Sequence, residues 1–342
     1  MRCLLGVDGG NTKTDYLLCT EEGEFIDVYR CGTCSHEAMD DGYEGMERVM
    51  REQLNVILSR NRIKTSDIAA GGFGLAGADL PSQITELKRR VENIGIRLFN
   101  VSNDGILGVK AASDSGAGIC VVNGTSTVVI GVDQNNKIRQ VGGVGEISGD
   151  LAGGSYDMKQ CLSHLYGYYC RCGNYSSMFP KMMEILNLTE DGLLEMAHDH
   201  WDLRRHTVDI LQLADREAQK GDQTAMGIFD DMGMNMGLSA AGCAKLLNFG
   251  ETGTEDQPLP VVLVGSIWHK IAYPGMKAVF EKTFKDLSTK TCQLIPLNAP
   301  AAVGGVLWAK EMLESKPVEK EYRAKVLDSL TLAKYESLVY VK

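Results

Sequence analysis

The chain has no run of apolar residues long enough to cross a bilayer, and too few stand ahead of Asp8 to build a signal-peptide core. The expectation is a cytoplasmic protein. It also has no stretch in which Lys and Arg concentrate. With a net charge of −10 and a pI near 5.2 it offers no cationic face to a phosphate backbone, so neither nucleic acid nor a membrane is expected as a partner. No period of solenoid length is visible. With no secretion signal, the 10 cysteines are read as reduced thiols, most of them small buried apolar side chains. Cys31-Gly32-Thr33-Cys34 has the spacing of a redox pair or of half a zinc site, but no second half with matching spacing follows. Cys170 and Cys172 likewise lack the continuation that a zinc motif needs.

What is present is an ordinary globular composition, 44% hydrophobic and 23% charged, in 342 residues, long enough for two domains with a core each. Leu4 to Leu18 reads LLGVDGGNTKTDYLL: two apolar runs joined by a Gly9-Gly10-Asn11-Thr12 turn, with a carboxylate at Asp8. Glycines let backbone amides approach an anion, Thr12 and Lys13 add donors, and a carboxylate at a strand end can hold a phosphate-bound Mg²⁺ through water. Tight β-hairpins also favour Asn and Gly, so the turn alone does not decide. The arrangement recurs, however. Gly118 to Gly131, GICVVNGTSTVVIG, repeats strand, Asn123-Gly124-Thr125 turn and strand, and each copy runs through a polar turn into a third strand near Ile26 or Ile138. Two related subdomains are implied.

With these motifs the chain resembles the actin-like ATPase superfamily, in which two ribonuclease H-like halves face each other across a nucleotide cleft. GVDGGNTKT, Asn103-Asp104 and GGVGEISGD are most similar to N-acetylglucosamine kinases, within the family shared with the activases of 2-hydroxyacyl-CoA dehydratases. The resemblance implies an α/β fold of two ribonuclease H-like domains, with ATP between them and closure of the halves on binding. The expected division is 1–115, 116–317 and a charged tail over 318–342, the crossover falling at Ser113-Asp114-Ser115-Gly116.

Periodicity supplies the remaining elements. Met46, Val49, Met50, Leu54, Ile57 and Leu58 give one apolar helix face over 43–61. Residues 68–75 read as a strand entering a glycine turn, 86–94 as a helix and 97–101 as a strand ending at Ser102-Asn103-Asp104-Gly105. Helices dominate from 151 to 248, with a long Met-, Ala- and Gly-rich one over 224–247. Residues 250–260 form a loop, 261–264 a buried strand ending in Gly265-Ser266, and a last helix starts at Ala302.

The resemblance implies roles for these positions. Asp104 is the expected general base and sugar ligand, although a helix cap or Asx turn would use an aspartate equally well at this place. Asp8 would organise Mg²⁺. Gly9, Gly10, Asn11, Thr12, Lys13, Gly124 and Thr125 would surround the phosphates, though Thr125 could simply satisfy its own turn. Gly265 and Ser266 match the turn beside adenosine. Asp150, Gly143, Val144 and Gly145 fall in the sugar-binding segment, with Ser35 and His36 where that family has asparagine. Three departures cluster here: Val144 replaces a tryptophan between glycines, Leu151-Ala152-Gly153 follows Asp150 instead of a glutamate and a glycine-serine pair, and Ser35-His36 replaces the asparagine. The phosphate-binding segments match; the acceptor-binding ones diverge.

The expected activity is ATP-dependent phosphorylation of an amino-sugar hydroxyl, N-acetylglucosamine to its 6-phosphate first, with a homodimer in keeping with the resemblance. The alternative is an ATPase that activates a dehydratase-type redox partner.

Overall fold

A computed structural model describes residues 2–333. Its first half is a five-stranded sheet. Strands β1 (Cys3–Gly9), β2 (Lys13–Thr20) and β3 (Phe25–Gly32) form an antiparallel meander, and after helix α1 (Gly42–Arg60) strand β4 (Ile68–Leu75) pairs parallel with β1. Helix α2 (Pro81–Ile94) then leads to β5 (Phe99–Ser102), giving the order β3-β2-β1-β4-β5. Helix α3 (Gly105–Ala112) carries the chain out of this half.

The second half repeats the plan. Strands β6 (Gly118–Asn123), β7 (Thr127–Val132) and β8 (Ile138–Gly142) meander, and the parallel partners β9 (Leu259–Val264) and β10 (Cys292–Pro296) give β10-β9-β6-β7-β8. Between β8 and β9 run helices α4 (Gly154–Arg171), α5 (Phe179–Leu186), α6 (Leu193–His198), α7 (Thr207–Gln219) and α8 (Gln223–Leu246), where the first half has α1 alone. Helices α9 (Ser266–Lys270) and α10 (Gly275–Ser288) link β9 to β10, and α11 (Ala301–Glu314) and α12 (Lys320–Leu332) close the described chain. Among the described residues no helix is long and apolar enough to cross a membrane.

Each sheet is covered on both faces, as buried parallel strands require. One face of the first sheet packs on α1 and α2 through Met46, Met50, Leu54, Leu87 and Val91. Its other face packs on α11 and α12, where Leu4, Leu17 and Ala70 meet Ala302, Val303, Val306, Val326 and Leu330. The second sheet buries one face under α4, α7, α8 and α10 and the other under α3, with Trp308 of α11 in the same cluster. Thus α3 and α11 lie against each other between the two sheets.

Two differences from the sequence reading follow. The last helices were expected with the second half and a charged tail, but α11 and α12 return to the first sheet. Val326 and Leu330 sit four residues apart on one helical face amid charges, too short a stripe to register by periodicity. Residues 334–342 of that tail lie outside the described residues. The 105–112 segment, to which the sequence reading assigned no element, is a helix buried on nearly every side, Lys110 included, and so without an amphipathic signal.

The helix pair between the sheets is held by close backbone approach. A Cβ on Gly304 would overlap the carbonyl oxygen of Leu107, and one on Gly305 would stand 2.6 Å from the oxygen of Gly72. A buried ion pair pins the same contact: Lys110 Nζ lies 2.6 Å from Glu311 Oε2, their side chains 2% and 9% exposed. Arg323 of α12 caps α3 by donating to the carbonyls of Lys110 (2.7 Å) and Ala111 (2.9 Å).

Gly304→Ala should therefore cost roughly 1–3 kcal/mol of stability by overpacking, read as a lower melting temperature. Gly227→Ala, on an open face of α8, should leave stability unchanged or raise it; equal effects would mean that the helix contact is loose. Lys110→Met should cost about 3–5 kcal/mol by leaving Glu311 buried and unpaired. The double variant Lys110→Met with Glu311→Leu should recover most of that loss in the same melting experiment.

Candidate functional site

The first hairpin turn is a tight one. Gly10 donates its amide to the Lys13 carbonyl at 2.9 Å, Thr33 Oγ1 donates to the Gly10 carbonyl at 2.8 Å, and Asn11, Thr12 and Lys13 stand exposed at the tip. Asp8 ends β1 beside it. A cleft of about 190 Å³ is lined by Asp8, Gly10, Thr12, Lys13, Asp104 and Gly105 from the first half and by Val122 and Val264 from the second. Gly9 is buried against Leu75 and Cys34, and neither it nor Asn11 is among the residues lining this cleft.

The second hairpin opens on a different space. Gly154 and Ser155, the first residues of α4, donate to the carbonyls of Gly124 (2.8 Å) and Thr125 (3.0 Å), docking the helix N-terminus on the turn. Gly265, at φ +106°, presses on the backbone of Asn123, where any side chain would overlap, and Ser266 opens α9 beside it. Gly124, Thr125, Gly154, Ser155 and Ser266 line a cavity of about 680 Å³ with Arg205, Thr207, Leu211 and Lys270, while Gly265 stands behind Ser266 and is not among the lining residues. Gly124, Thr125 and Ser266 are therefore brought together, one cavity away from the first hairpin. Ser155 and Lys270 escaped the sequence reading. Gly153-Gly154-Ser155 at a helix start was the available signal for the first, and a lone lysine past a short helix offered none for the second.

Two carboxylates share the small cleft. Burial, then the charges of Asp104 and Asp15, push Asp8 up to about 7, with Lys13 and Arg30 pulling the other way. Asp104 is pushed up to about 6 by burial and then by the charge of Asp79, and the amides of Gly105 and Asp104 offset part of the rise. Asp104 stands at the N-cap position of α3 without a side-chain cap bond. The Gly105 amide donates instead to Asn103 Oδ1 at 2.9 Å, so the capping role falls to Asn103. Among the described residues no group of three or more His, Cys, Asp or Glu side chains is arranged as a metal cage. A half-buried Asp8 with raised proton affinity and no hydrogen bond from a described residue fits a cation that arrives with its own ligands.

The expected acceptor residues form a third group. Ser35 Oγ and His36 Nδ1 are buried with no hydrogen-bond partner among the described residues, and the His36 ring stacks on Tyr43 with centroids 4.2 Å apart. Burial lowers the His36 pKa, which keeps the imidazole neutral near pH 7. Asp150 uses both oxygens inside its own loop: Oδ1 accepts from the Gly143 amide (2.9 Å), and Oδ2 from the Gly145 amide (2.6 Å) and Ser148 Oγ (2.9 Å). This loop projects Val144 and Ile147 outward, both exposed. Burial raises the thiol pKa of Cys31, to about 12, and of Cys34, so neither is a poised thiolate.

Coupling between the two carboxylates is measurable. Carboxyl-¹³C NMR should find Asp8 titrating near pH 7, and Asp104→Asn should move that transition to lower pH by removing a neighbouring negative charge. An unmoved Asp8 transition would mean that the two groups do not share one cleft.

Sequence comparison finds an N-acetylmuramic acid/N-acetylglucosamine kinase of Clostridium acetobutylicum, 20% identical over 91% of this chain and 99% of that protein. An N-acetyl-D-glucosamine kinase of Dictyostelium discoideum is 23% identical over 66% of this chain and 74% of its own length. Among solved structures, one from Chromobacterium violaceum, provisionally named an N-acetylglucosamine kinase, superposes with a TM-score of 0.62 at 18% identity, covering 92% of this chain and 99% of the other. That likeness shows the same fold of two related α/β halves. The model of one family matches residues 5–309. By this match across most of its length, and by the paired hairpins that carry it, the chain belongs to the BadF/BadG/BcrA/BcrD ATPase family.

Proposed function

We propose that the protein is an ATP-dependent kinase that phosphorylates a hydroxyl of an amino sugar, N-acetylglucosamine to its 6-phosphate being the first reaction to test. The observation that carries this reading is the shared cleft: Asp104, uncapped and of raised proton affinity, faces the Gly10, Thr12 and Lys13 hairpin and Asp8. The relatives named as N-acetylglucosamine kinases support the acceptor class.

In this mechanism the large cavity, with Ser266 in its lining, would take the nucleoside, Gly124 and Thr125 would offer phosphate contacts from the second half, and Gly10, Thr12 and Lys13 would offer them from the first. Asp8 is the group that would hold Mg²⁺, whose charge offsets that of the phosphates. Lys13, 50% exposed at the turn, adds a mobile positive charge. Asp104 accepts the proton of the acceptor hydroxyl as its oxygen bonds to the γ-phosphorus and the bond to the β-phosphate oxygen breaks, releasing ADP. With a pKa near 6, the carboxylate is ionised at neutral pH yet more basic than an ordinary aspartate.

The test is ADP release with Mg-ATP, with and without N-acetylglucosamine and a panel of hexoses. Acceptor-dependent turnover should fall about 10²- to 10⁴-fold in Asp104→Asn, with nucleotide affinity by calorimetry nearly unchanged. Acceptor-independent hydrolysis that ignores this substitution would overturn the reading in favour of an activating ATPase.

A further inference from the structure

Asp79 lies on the turn between β4 and α2, and no motif in the sequence singles it out. Its backbone is fixed from below: Gln83 Oε1 accepts from the amides of Asp79 (3.1 Å) and Leu80 (2.8 Å). Its carboxylate is then used at one oxygen by both halves of the molecule. Oδ1 accepts from Asn103 Nδ2 at 2.8 Å and from Gln140 Nε2 at 2.8 Å. Asn103 directly precedes Asp104, and its own Oδ1 is held by the Gly105 amide, so this side chain has both ends fixed. Gln140 lies on β8 of the second sheet, and its amide also donates to the Gly142 carbonyl at 3.1 Å, at the root of the loop running to Asp150.

We propose that Asp79 is a positioning residue for Asp104, one oxygen fixing Asn103 on the first half and Gln140 on the second, so that the acceptor loop docks on the strand end carrying Asp104. This rests on the phosphotransfer reading above and adds to it a side chain that touches neither phosphate nor the transferred group.

Two further observations agree. Gly143, at φ +86°, makes room for the tie, since a Cβ there would stand 2.8 Å from Gln140 Nε2. The expected acceptor position Gly143 thus serves the Gln140 contact. The second is electrostatic. After burial, the Asp79 charge is the largest cause of the raised Asp104 pKa. The other charged or titratable groups facing this pair are Asp8 from β1, Lys13 from β2, Cys120 from β6 and His36 from the segment before α1. His36 is neutral near pH 7, which leaves Asp79 the anion whose removal acts most directly on Asp104.

Three substitutions separate the parts. Asp79→Asn keeps an oxygen able to accept from Asn103 and Gln140 but removes the charge. Asp79→Glu keeps the charge and displaces the oxygens. Gln140→Leu removes the tie between the halves, together with the bond from Gln140 to the Gly142 carbonyl at the root of the loop, and leaves the Asp79 charge in place. Asp79→Asn should move the acid limb of acceptor kcat/KM to lower pH by on the order of half a unit, with KM little changed. Asp79→Glu should restore the acid limb yet raise the acceptor KM, and Gln140→Leu should raise that KM about tenfold with the acid limb in place. An acid limb and KM unmoved in all three would overturn the proposal.

The same Asp79→Asn comparison is read without turnover by carboxyl-¹³C NMR of Asp104 in the resting protein, with melting temperature as the folding control. If the wild type phosphorylates no acceptor, the kinase reading fails on its own. A shifted Asp104 titration would then still support the Asp79 contact, and an unshifted one would overturn it. Should Asp79→Asn not fold, Gln140→Leu on the edge strand carries the test: an unchanged acceptor KM, or an unchanged Asp104 environment by NMR, would overturn the proposal.

Discussion

The backbone contact between α3 and α11 is the constraint on which the rest of the molecule depends. Each helix is the inner cover of one sheet; α11 can lie against α3 because Gly304 presents no side chain to Leu107, and against the first sheet because Gly305 presents none to Gly72 of β4. This places the carboxyl end of β1, with Asp8, directly beside the N-terminus of α3, with Asp104. A wider spacing would enlarge the cleft and separate the two carboxylates. The contact is also where the molecule accepts an electrostatic risk. A buried lysine and glutamate seldom add net stability over an apolar pair, but they require a matched register. The Lys110 to Glu311 pair therefore fixes where α11 stops sliding along α3.

The charge arrangement in the cleft is unfavourable to the resting protein. The charge of Asp104 adds to the cost of ionising Asp8, and that of Asp79 to the cost of ionising Asp104. A sequence optimised for stability alone would not gather three acids around a narrow space, and such gatherings mark places where function overrides folding. Lys13 and Arg30 offset part of the repulsion at Asp8. Asp15 shows the contrasting solution. It is more deeply buried, but Arg30 clamps both its oxygens at 2.6 and 2.7 Å, and it acts as a strand staple.

Much of the fold was legible because its signals are local. Apolar alternation around an Asn- and Gly-containing turn marks a hairpin wherever it lies, and its recurrence announced two halves before any contact was known. Helix α1 and the long α8 announced themselves by length and period. The parts that stayed hidden depend on distant partners. Helix α3 is buried on nearly every side because it is wrapped by both halves, and periodicity has nothing to detect in such a segment. Strand β10 has no alternating face of its own and is defined by pairing with β9. In the site, Asp8 and Asp104 were legible from their places at strand ends. Asp79 and Gln140 were not, since 61 residues separate them and only the fold makes them neighbours. Asp150 was legible as an aspartate of interest, but its oxygens go to its own glycine-rich loop.

The two halves share a topology but not a load, and the difference explains where divergence can occur. The segment inserted between β8 and β9 builds most of the large cavity's wall, through the first residues of α4, the turn over 202–205 and the start of α7, so the second half is committed to whatever fills that space. The first half keeps the short form, and its surface near the cleft consists of turns: Ser35-His36 before α1, Asp79 before α2 and Asn103-Asp104 before α3. Turns tolerate substitution better than packed strands because fewer buried contacts depend on them. The three departures from the kinase pattern fall on such turns and on the Gly142 to Gly153 segment, not on the two hairpins. The buried Ser35 hydroxyl and His36 Nδ1, both without a hydrogen-bond partner among the described residues, mark one of these turns as energetically costly, since uncompensated buried polar atoms destabilise the fold.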